Sequence, residues 1–128
     1  MIRSGVDLIE VERIDRAILR HGDRFFHRFF TAQELIDSGG STPALAARFA
    51  GKEAVSKALG TGIGDVGWKE IEIVNGPRRK PVLRLHGRAR QLAAELGLQT
   101  WAVSMSHTHE HAVAMAVASS EADQGRSR

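Results

Sequence analysis

The feature that most constrains the fold is an alanine-rich segment at residues 44–59. Its residues favour a helix, and Gly60 follows at once, where a glycine can take the left-handed conformation that ends a helix. The preceding residues 38–43 read SGGSTP and consist of residues that break regular structure. The sequence therefore predicts one long central helix, which a loop precedes and a glycine ends.

Five other segments predict β-strands. Residues 1–9 are mostly apolar, and KEIEIV at residues 69–74 is followed by the turn-rich NGPRRKP and then VLRL, which indicates a hairpin. TWAVSMS and HAVAMAVA come last, with large apolar side chains at alternate positions and Ala or Ser between them. We expect a helix to pack against the small-residue face of both strands.

Shorter helices are predicted at three places. Apolar residues recur at helical spacing from Val11 onward and again at residues 87–96. Thr31 and Glu34 have the spacing of a capping box, which predicts a helix start. The fold class is therefore α+β, with an antiparallel sheet packed against one long central helix plus shorter helices.

Length and composition limit the domain organisation and the setting. The 128 residues favour a single domain, which we place at residues 1–118, followed by a polar, disordered tail at residues 119–128. The chain has no cysteine, which fits a reducing, cytoplasmic setting. No apolar run approaches the length of a membrane span, and we predict no membrane partner.

Three charged side chains are candidates for chemistry. Asp7 lies inside an apolar strand, so it must be paired, bound to a metal or directed into a cleft, unless the strand is an edge whose Asp7 faces water. Glu53 follows Phe49 by four residues and precedes Lys57 by four, so the three share one stripe of the central helix. An ordinary surface ion pair between Glu53 and Lys57 explains the same spacing.

Three alternating glycines, Gly60, Gly62 and Gly64, follow the central helix. Glycines that bind phosphate at a helix N-terminus precede their helix, so that mechanism is excluded here. A turn of backbone N–H groups can still bind an anion, with Lys57 one helical turn upstream. The alternative is a helix stop followed by a flexible loop.

Histidines alternate in SHTHEH, at His107, His109 and His111. On a strand they would share one face, as in a transition-metal site. The segment joins two strands that are expected to pair, however, which favours a turn. A single histidine beside a phosphate is the preferred interpretation.

Three segments, GVDLIEVERI, RFAGKEAVSKALGTGI and VSMSHTHEHAVAMAV, together resemble the holo-[acyl-carrier-protein] synthases, the group-I 4′-phosphopantetheinyl transferases. The resemblance extends from about residue 2 to residue 118. It implies the fold of that family and transfer of the phosphopantetheine arm of coenzyme A to a serine of an apo acyl carrier protein, which releases adenosine 3′,5′-bisphosphate. It also implies a requirement for Mg²⁺ and a homotrimer with active sites at subunit interfaces.

The resemblance also assigns roles to individual residues. Asp7 and Glu53 would bind Mg²⁺, and Lys57 would contact the pyrophosphate; with His107 they form the predicted catalytic set. The predicted coenzyme A contacts are Arg48, Lys57, Gly60, Thr61, Gly62, His107 and Thr108. The base that takes the serine proton stays open between a water held by the metal or a carboxylate, Glu53 and His107.

Carrier proteins are acidic, and a positively charged helix can attract them. The surface that the resemblance assigns to carrier docking consists of Arg13, Arg20, Arg24, Phe25 and Arg28. The alternative for this helix is a solvated basic face. Two other functions compete with the transferase: a non-catalytic basic module that binds anions or RNA, and a purely structural oligomer that would leave Asp7 and Glu53 unexplained. We predict no nucleic-acid partner.

The sequence departs from the family pattern at two places. Gly51 stands where the family more often has alanine, which weakens the helix by up to about 1 kcal/mol. The connection GPRRKP differs from the shorter glycine-lysine-proline turn that is usual there, so a nucleotide contact by Arg79 or Lys80 is not expected.

Overall fold

A computed structural model describes residues 1–121 of the chain, and residues 122–128 of the predicted tail lie outside this range. The described residues form five strands and five α-helices. In chain order they are β1 (Ile2–Glu10), α1 (Val11–His21), α2 (Asp23–Phe29), α3 (Ala32–Ser38), α4 (Thr42–Leu59), β2 (Ile71–Asn75), β3 (Pro81–Leu85), α5 (Gly87–Glu95), β4 (Thr100–His107) and β5 (His111–Ser119).

The strands form two antiparallel sheets. One has the order β1-β5-β4, and the other is the predicted hairpin of β2 and β3. The α+β class and the long central helix α4 are confirmed, whereas a single sheet was expected and the hairpin is separate. Among residues 1–121, no helix is long and apolar enough to cross a bilayer.

The helix α4 packs on β5 and β1 through small residues. The four alanines of β5 that face it are buried: Ala112, Ala114, Ala116 and Ala118. The same expectation is wrong for β4, whose Trp101, Val103 and Met105 face the core while its Ala and Ser residues face out. Trp101, Val103 and Met105 face the core because they lie opposite the buried Ala118, Ala116 and Ala114 of β5. The strand lies at the sheet edge, two strands from β1, where larger side chains are needed to reach the core.

A glycine makes the contact between β1 and α4 possible. A Cβ at Gly5 would collide with the backbone carbonyl of Ala54 and would lie 3.0 Å from Lys57 Cβ. Glycine therefore allows strand and helix backbones to touch at this point. The contact fixes the distance between the Asp7 strand and the Glu53 helix.

A buried ion pair joins α4 to α3 and β2. The predicted capping box of Thr31 and Glu34 is confirmed, but Glu34 also accepts hydrogen bonds from Lys52 Nζ at 2.7 Å and from the Ile73 amide at 2.9 Å. The side chains of Glu34 and Lys52 are both 0% exposed. Lys52 is therefore a structural residue of the core.

The two departures from the family pattern have local explanations. A Cβ at Gly51 would lie 2.5 Å from Ile73 Cδ1, so the glycine makes room for that side chain. In the longer hairpin connection, Arg78 and Arg79 have φ values of 57° and 59°. Two successive non-glycine residues in the left-handed region strain this turn.

Candidate active site

Asp7, Glu53 and Lys57 meet where β1 crosses α4. Asp7 lies on the β1 face that packs against the helix, as do Gly5 and Ile9. Lys57 Nζ donates to the Val6 carbonyl at 2.8 Å and lies 3.3 Å from Asp7 Oδ1. Glu53 is one helical turn before Lys57 and is half-buried. The predicted strand–helix convergence of these three residues is present within one chain.

The site holds two carboxylates, Asp7 and Glu53, and one nearby ammonium, that of Lys57. Burial raises the pKa of Glu53, the charge of Asp7 raises it further, and Lys57 only partly offsets the two effects. The half-exposed Lys57 ammonium forms an ion pair with Asp7 and lowers the pKa of Glu53 only through its charge. A divalent cation between the two carboxylates would relieve the repulsion.

The donor set fits Mg²⁺. Mg²⁺ is usually held by one or two carboxylates, with substrate phosphates and waters as the other ligands. Within the described 1–121 range, no group of three or more His, Cys, Asp or Glu side chains could hold a metal. Asp7 and Glu53 would therefore supply only part of a coordination shell, and the three alternating histidines do not form a metal site there.

His107 and Thr108 lie at the end of β4, the edge strand on the far side of β5 from β1. Thr108 begins the tight turn between β4 and β5: its amide donates to the His111 carbonyl at 2.8 Å, and its hydroxyl accepts from the His111 amide at 3.1 Å. The predicted turn is thus confirmed for His109, whereas His107 ends β4 and His111 begins β5. Because β5 separates β4 from β1, His107 is two strand spacings, roughly 10 Å, from the line of Asp7. One chain does not bring the two groups together.

The glycine turn ends α4 as predicted, with Gly60 at φ +83°. Its amides are engaged: Gly60 N donates to the Lys57 carbonyl, and Thr61 N and Gly62 N donate to the Ser56 carbonyl. These three amides thus bond within the chain, which fits the alternative of a helix stop. The contact of the turn with a nucleotide stays a prediction. Thr61 Oγ1 is buried without a hydrogen-bond partner among residues 1–121.

Arg48, one of the predicted coenzyme A contacts, is 4% exposed. Its Nε donates to the Ile73 carbonyl at 3.1 Å, and its Nη2 donates to Asn75 Oδ1 at 2.8 Å. These bonds attach α4 to β2. The sequence pattern gave no indication of this structural role, because the partners are 25 and 27 residues away.

The predicted docking residues lie on two helices, α1 and α2, and not on one, and these helices line a groove with a basic rim. The groove has a volume of about 380 Å³, and its rim includes Arg13, Arg24 and Arg28. Its floor is apolar and consists of Ile9, Ile14, Ala17, Phe25, Phe29 and Phe49. Phe25 is 4% exposed, so it forms the floor and does not protrude. Arg20 lies on the adjoining surface with Arg13 and Arg16.

The groove opens beside the acidic pair. Its floor residue Ile9 follows Asp7 by two positions on the same strand face, and Phe49 precedes Glu53 by one helical turn. Trp68, which the sequence reasoning did not single out, stacks on Phe49 with ring centroids 4.5 Å apart. Arg3 was also missed, although its alternation with Gly5 and Asp7 along β1 was a signal that could have found it.

The sequence is similar to a known family of transferases. Residues 3–116 match a model of the 4′-phosphopantetheinyl transferase superfamily. A holo-[acyl-carrier-protein] synthase of Herpetosiphon aurantiacus is 48% identical over 115 residues, which cover 84% of this chain and 91% of that protein. One of Moorella thermoacetica is 46% identical over 110 residues, covering 84% and 85%.

Solved structures agree with the sequence comparison. The Helicobacter pylori holo-[acyl-carrier-protein] synthase in complex with coenzyme A has a TM-score of 0.83 and 31% identity, and the match covers 93% of this chain and 100% of that one. A holo-(acyl-carrier-protein) synthase from Bacillus anthracis in complex with CoA (3′,5′-ADP) has a TM-score of 0.73 and 36% identity, covering 91% and 94%.

Proposed function

The chain belongs to the 4′-phosphopantetheinyl transferase superfamily, and we propose that it transfers the phosphopantetheine arm of coenzyme A to a serine of an apo acyl carrier protein. This is the activity of the holo-[acyl-carrier-protein] synthases to which it is similar. The main support from geometry is the convergence of Asp7, Glu53 and Lys57 at one strand–helix crossing. A cytoplasmic setting is supported by the absence of cysteine.

The reaction requires little covalent chemistry from the protein. The carrier serine oxygen bonds to the phosphorus that bears pantetheine, the bond from that phosphorus to the bridging oxygen breaks, and adenosine 3′,5′-bisphosphate leaves. Catalysis of such transfers is mostly positioning and charge stabilisation. Asp7 and Glu53 would hold Mg²⁺, which supplies positive charge at the pyrophosphate when bound. The Lys57 ammonium, 50% exposed, adds a second positive charge there.

The serine proton must pass to a base as the new bond forms. Glu53 lies at the site within one chain, and His107 lies two strands away. In the proposed assembly, His107 and Thr108 act from a second copy. Glu53 and a water are then the candidates that a single chain offers for this proton.

Carrier docking is proposed at the basic groove of α1 and α2. Arg13, Arg24 and Arg28 surround an apolar floor. An acidic partner with an apolar contact surface matches both the rim and the floor, and the attraction also increases its association rate. The groove opens beside Asp7 and Glu53, which would place the carrier serine near the pyrophosphate.

A homotrimer is proposed from the outer face of the three-stranded sheet. Five apolar side chains of β1 and β5 on that face are exposed: Ile2, Val6, Leu8, Val113 and Met115. Such patches in a small protein usually mark an interaction surface. An open groove at Ser4, Val6, Lys57 and Met115 joins this face to the catalytic ammonium. A second copy seated on the face would therefore border the active site.

The direct test weighs an acyl carrier protein after incubation with this protein, coenzyme A and Mg²⁺. The carrier is expected to gain one phosphopantetheine arm. Asp7→Asn and Glu53→Gln should each abolish the gain, and Glu95→Gln, an exposed carboxylate on α5, is the matched control that should retain it. An unchanged carrier mass with every divalent cation tried would refute the proposal.

A further inference from the structure

Arg3 is a guanidinium that the proposed reaction does not yet use. It lies on the β1 face that packs against α4, four residues before Asp7, and is half-buried. Its Nη2 lies 2.9 Å, and its Cζ 3.7 Å, from the position that a Cβ on Gly60 would occupy. Because Gly60 has no side chain, the guanidinium rests directly over the turn that ends α4.

The guanidinium of Arg3 has no hydrogen bond or ion pair to a protein group among residues 1–121, in contrast to Arg48, whose side chain bonds to β2. A guanidinium offers five N–H donors, and a partly buried charge without a partner is costly. Arg3 is therefore available to an anionic ligand at this turn.

The position of Arg3 relative to Lys57 indicates which anion it binds. Lys57, the proposed pyrophosphate contact, precedes Gly60 by three residues, about one turn of α4 and hence roughly 5 Å along the helix axis. Lys57 and Arg3 thus present two positive charges in succession along one side of the β1–α4 contact. Coenzyme A carries its pyrophosphate and its ribose 3′-phosphate at separate points of one nucleotide. Arg48, which the resemblance places among the coenzyme A contacts, is 4% exposed, and its guanidinium bonds to β2.

We propose that Arg3 binds the 3′-phosphate of coenzyme A and makes the protein select coenzyme A over its analogue without that group, 3′-dephospho-coenzyme A. The inference rests on the proposed function in taking coenzyme A as the donor and Lys57 as the contact of its pyrophosphate. A guanidinium can bind two oxygens of a phosphate monoester at once, which favours arginine over lysine for this task.

The test is calorimetric titration of the full chain, with Mg²⁺ present, with each of the two nucleotides. Arg3→Gln should weaken coenzyme A binding about 10-fold or more and leave the affinity for 3′-dephospho-coenzyme A unchanged, because only the first ligand loses a charge-assisted contact. Arg3→Lys should fall between the two proteins. Arg90→Gln, an exposed arginine on α5, is the control and should bind both ligands like the unaltered chain.

Each other outcome has a definite meaning. Equal weakening of both ligands by Arg3→Gln, or no weakening of either, would overturn the assignment of Arg3 alone. Failure of the unaltered protein to bind coenzyme A would overturn the proposed function as well. In transfer assays, Arg3→Gln should raise KM for coenzyme A and leave kcat close to its original value, since a contact distant from the reacting phosphorus contributes to binding.

Discussion

Two lysines of α4, five positions apart, form opposite kinds of ion pair. Lys52 is fully buried with Glu34, and its ammonium donates to Glu34 Oε1, the Trp68 carbonyl and the Ile71 carbonyl at 2.7, 3.0 and 2.5 Å. Lys57 is half-exposed, and its contact with Asp7 is 3.3 Å. All three donors of the first ammonium have protein partners, whereas the second keeps part of its capacity free.

The difference shows how one helix separates stability from function. A charge that loses its water must find all its partners in the protein, so Glu34 and Lys52 are satisfied internally and hold α3, α4 and β2 together. Asp7, Glu53 and Lys57 keep contact with solvent. They can therefore exchange water for a cation and a phosphate at little cost. Even in this open site, the partial burial of Glu53 disfavours its charged form and raises its pKa.

The largest difference between the two ion pairs is expected in the free energy of unfolding when each lysine is replaced separately. Lys52→Met leaves the buried Glu34 carboxylate without its cation and should lower the free energy of unfolding by about 3–5 kcal/mol. Lys57→Met, at a half-exposed pair, should change it by less than about 1 kcal/mol and abolish transfer. Urea unfolding of both variants measures this. Equal losses would erase the distinction between the two pairs.

A smaller effect is expected from a substitution that touches no charge. Gly5→Ala forces β1 away from the Ala54 carbonyl and should destabilise the fold by about 1–3 kcal/mol while it separates Asp7 from Glu53. Gly51→Ala is the matched control, because the one atom that its new Cβ approaches too closely is the end of the Ile73 side chain, which can shift, and not a backbone atom. Thermal unfolding and Mg²⁺-dependent coenzyme A affinity should both decline for Gly5→Ala. An unchanged affinity would mean that this contact does not set the site.

The smallest expected effect is the contribution of Glu53 to the pH dependence of stability. The folded-state pKa of Glu53 lies above its ordinary value of 4.5, so its ionisation weakens the fold, and that loss appears as the pH rises through and above 4.5. Glu53→Gln should therefore stabilise the metal-free protein at pH 7 by a few tenths of a kcal/mol, about the scale of exposed charge interactions. The advantage should vanish below pH 4.

The matching change in the buried pair should have the opposite sign. Glu34→Gln leaves Lys52 without a counter-charge in the core, so it should destabilise the protein at pH 7. Melting temperatures of both variants between pH 4 and pH 8 give the comparison. Destabilisation by both substitutions at pH 7 would show that Glu53 is as structural as Glu34.

The sequence predicted the contacts that depend on local spacing. Thr31 and Glu34 are three residues apart, and their capping box formed as the spacing indicates. The same spacing contains no information about Lys52, 18 residues further on, because that contact depends on how α3 packs against α4. Alternation along β4 predicted which residues share a face. It did not reveal that Trp101 and its neighbours face the core, since the choice of face follows from strand order.

The candidate site was predictable to a similar extent. Asp7 and Glu53 were identified because a carboxylate in an apolar strand and a motif on the central helix were both visible in the sequence, and they do meet. Arg48 illustrates the limit, because its guanidinium is used by β2 residues that no local pattern connects to it. His107 illustrates another, because its predicted neighbours lie across the sheet.

Asp7 and Glu53 are proposed to bind one divalent cation together, against the pyrophosphate of coenzyme A. The most direct measurement is the affinity for coenzyme A, by calorimetry, with Mg²⁺ and without any divalent cation. We expect Mg²⁺ to tighten coenzyme A binding at least about 10-fold in the unaltered protein and to have little effect in Asp7→Asn and Glu53→Gln. An equal gain from Mg²⁺ in both variants would contradict the proposal, because the cation would then be held elsewhere.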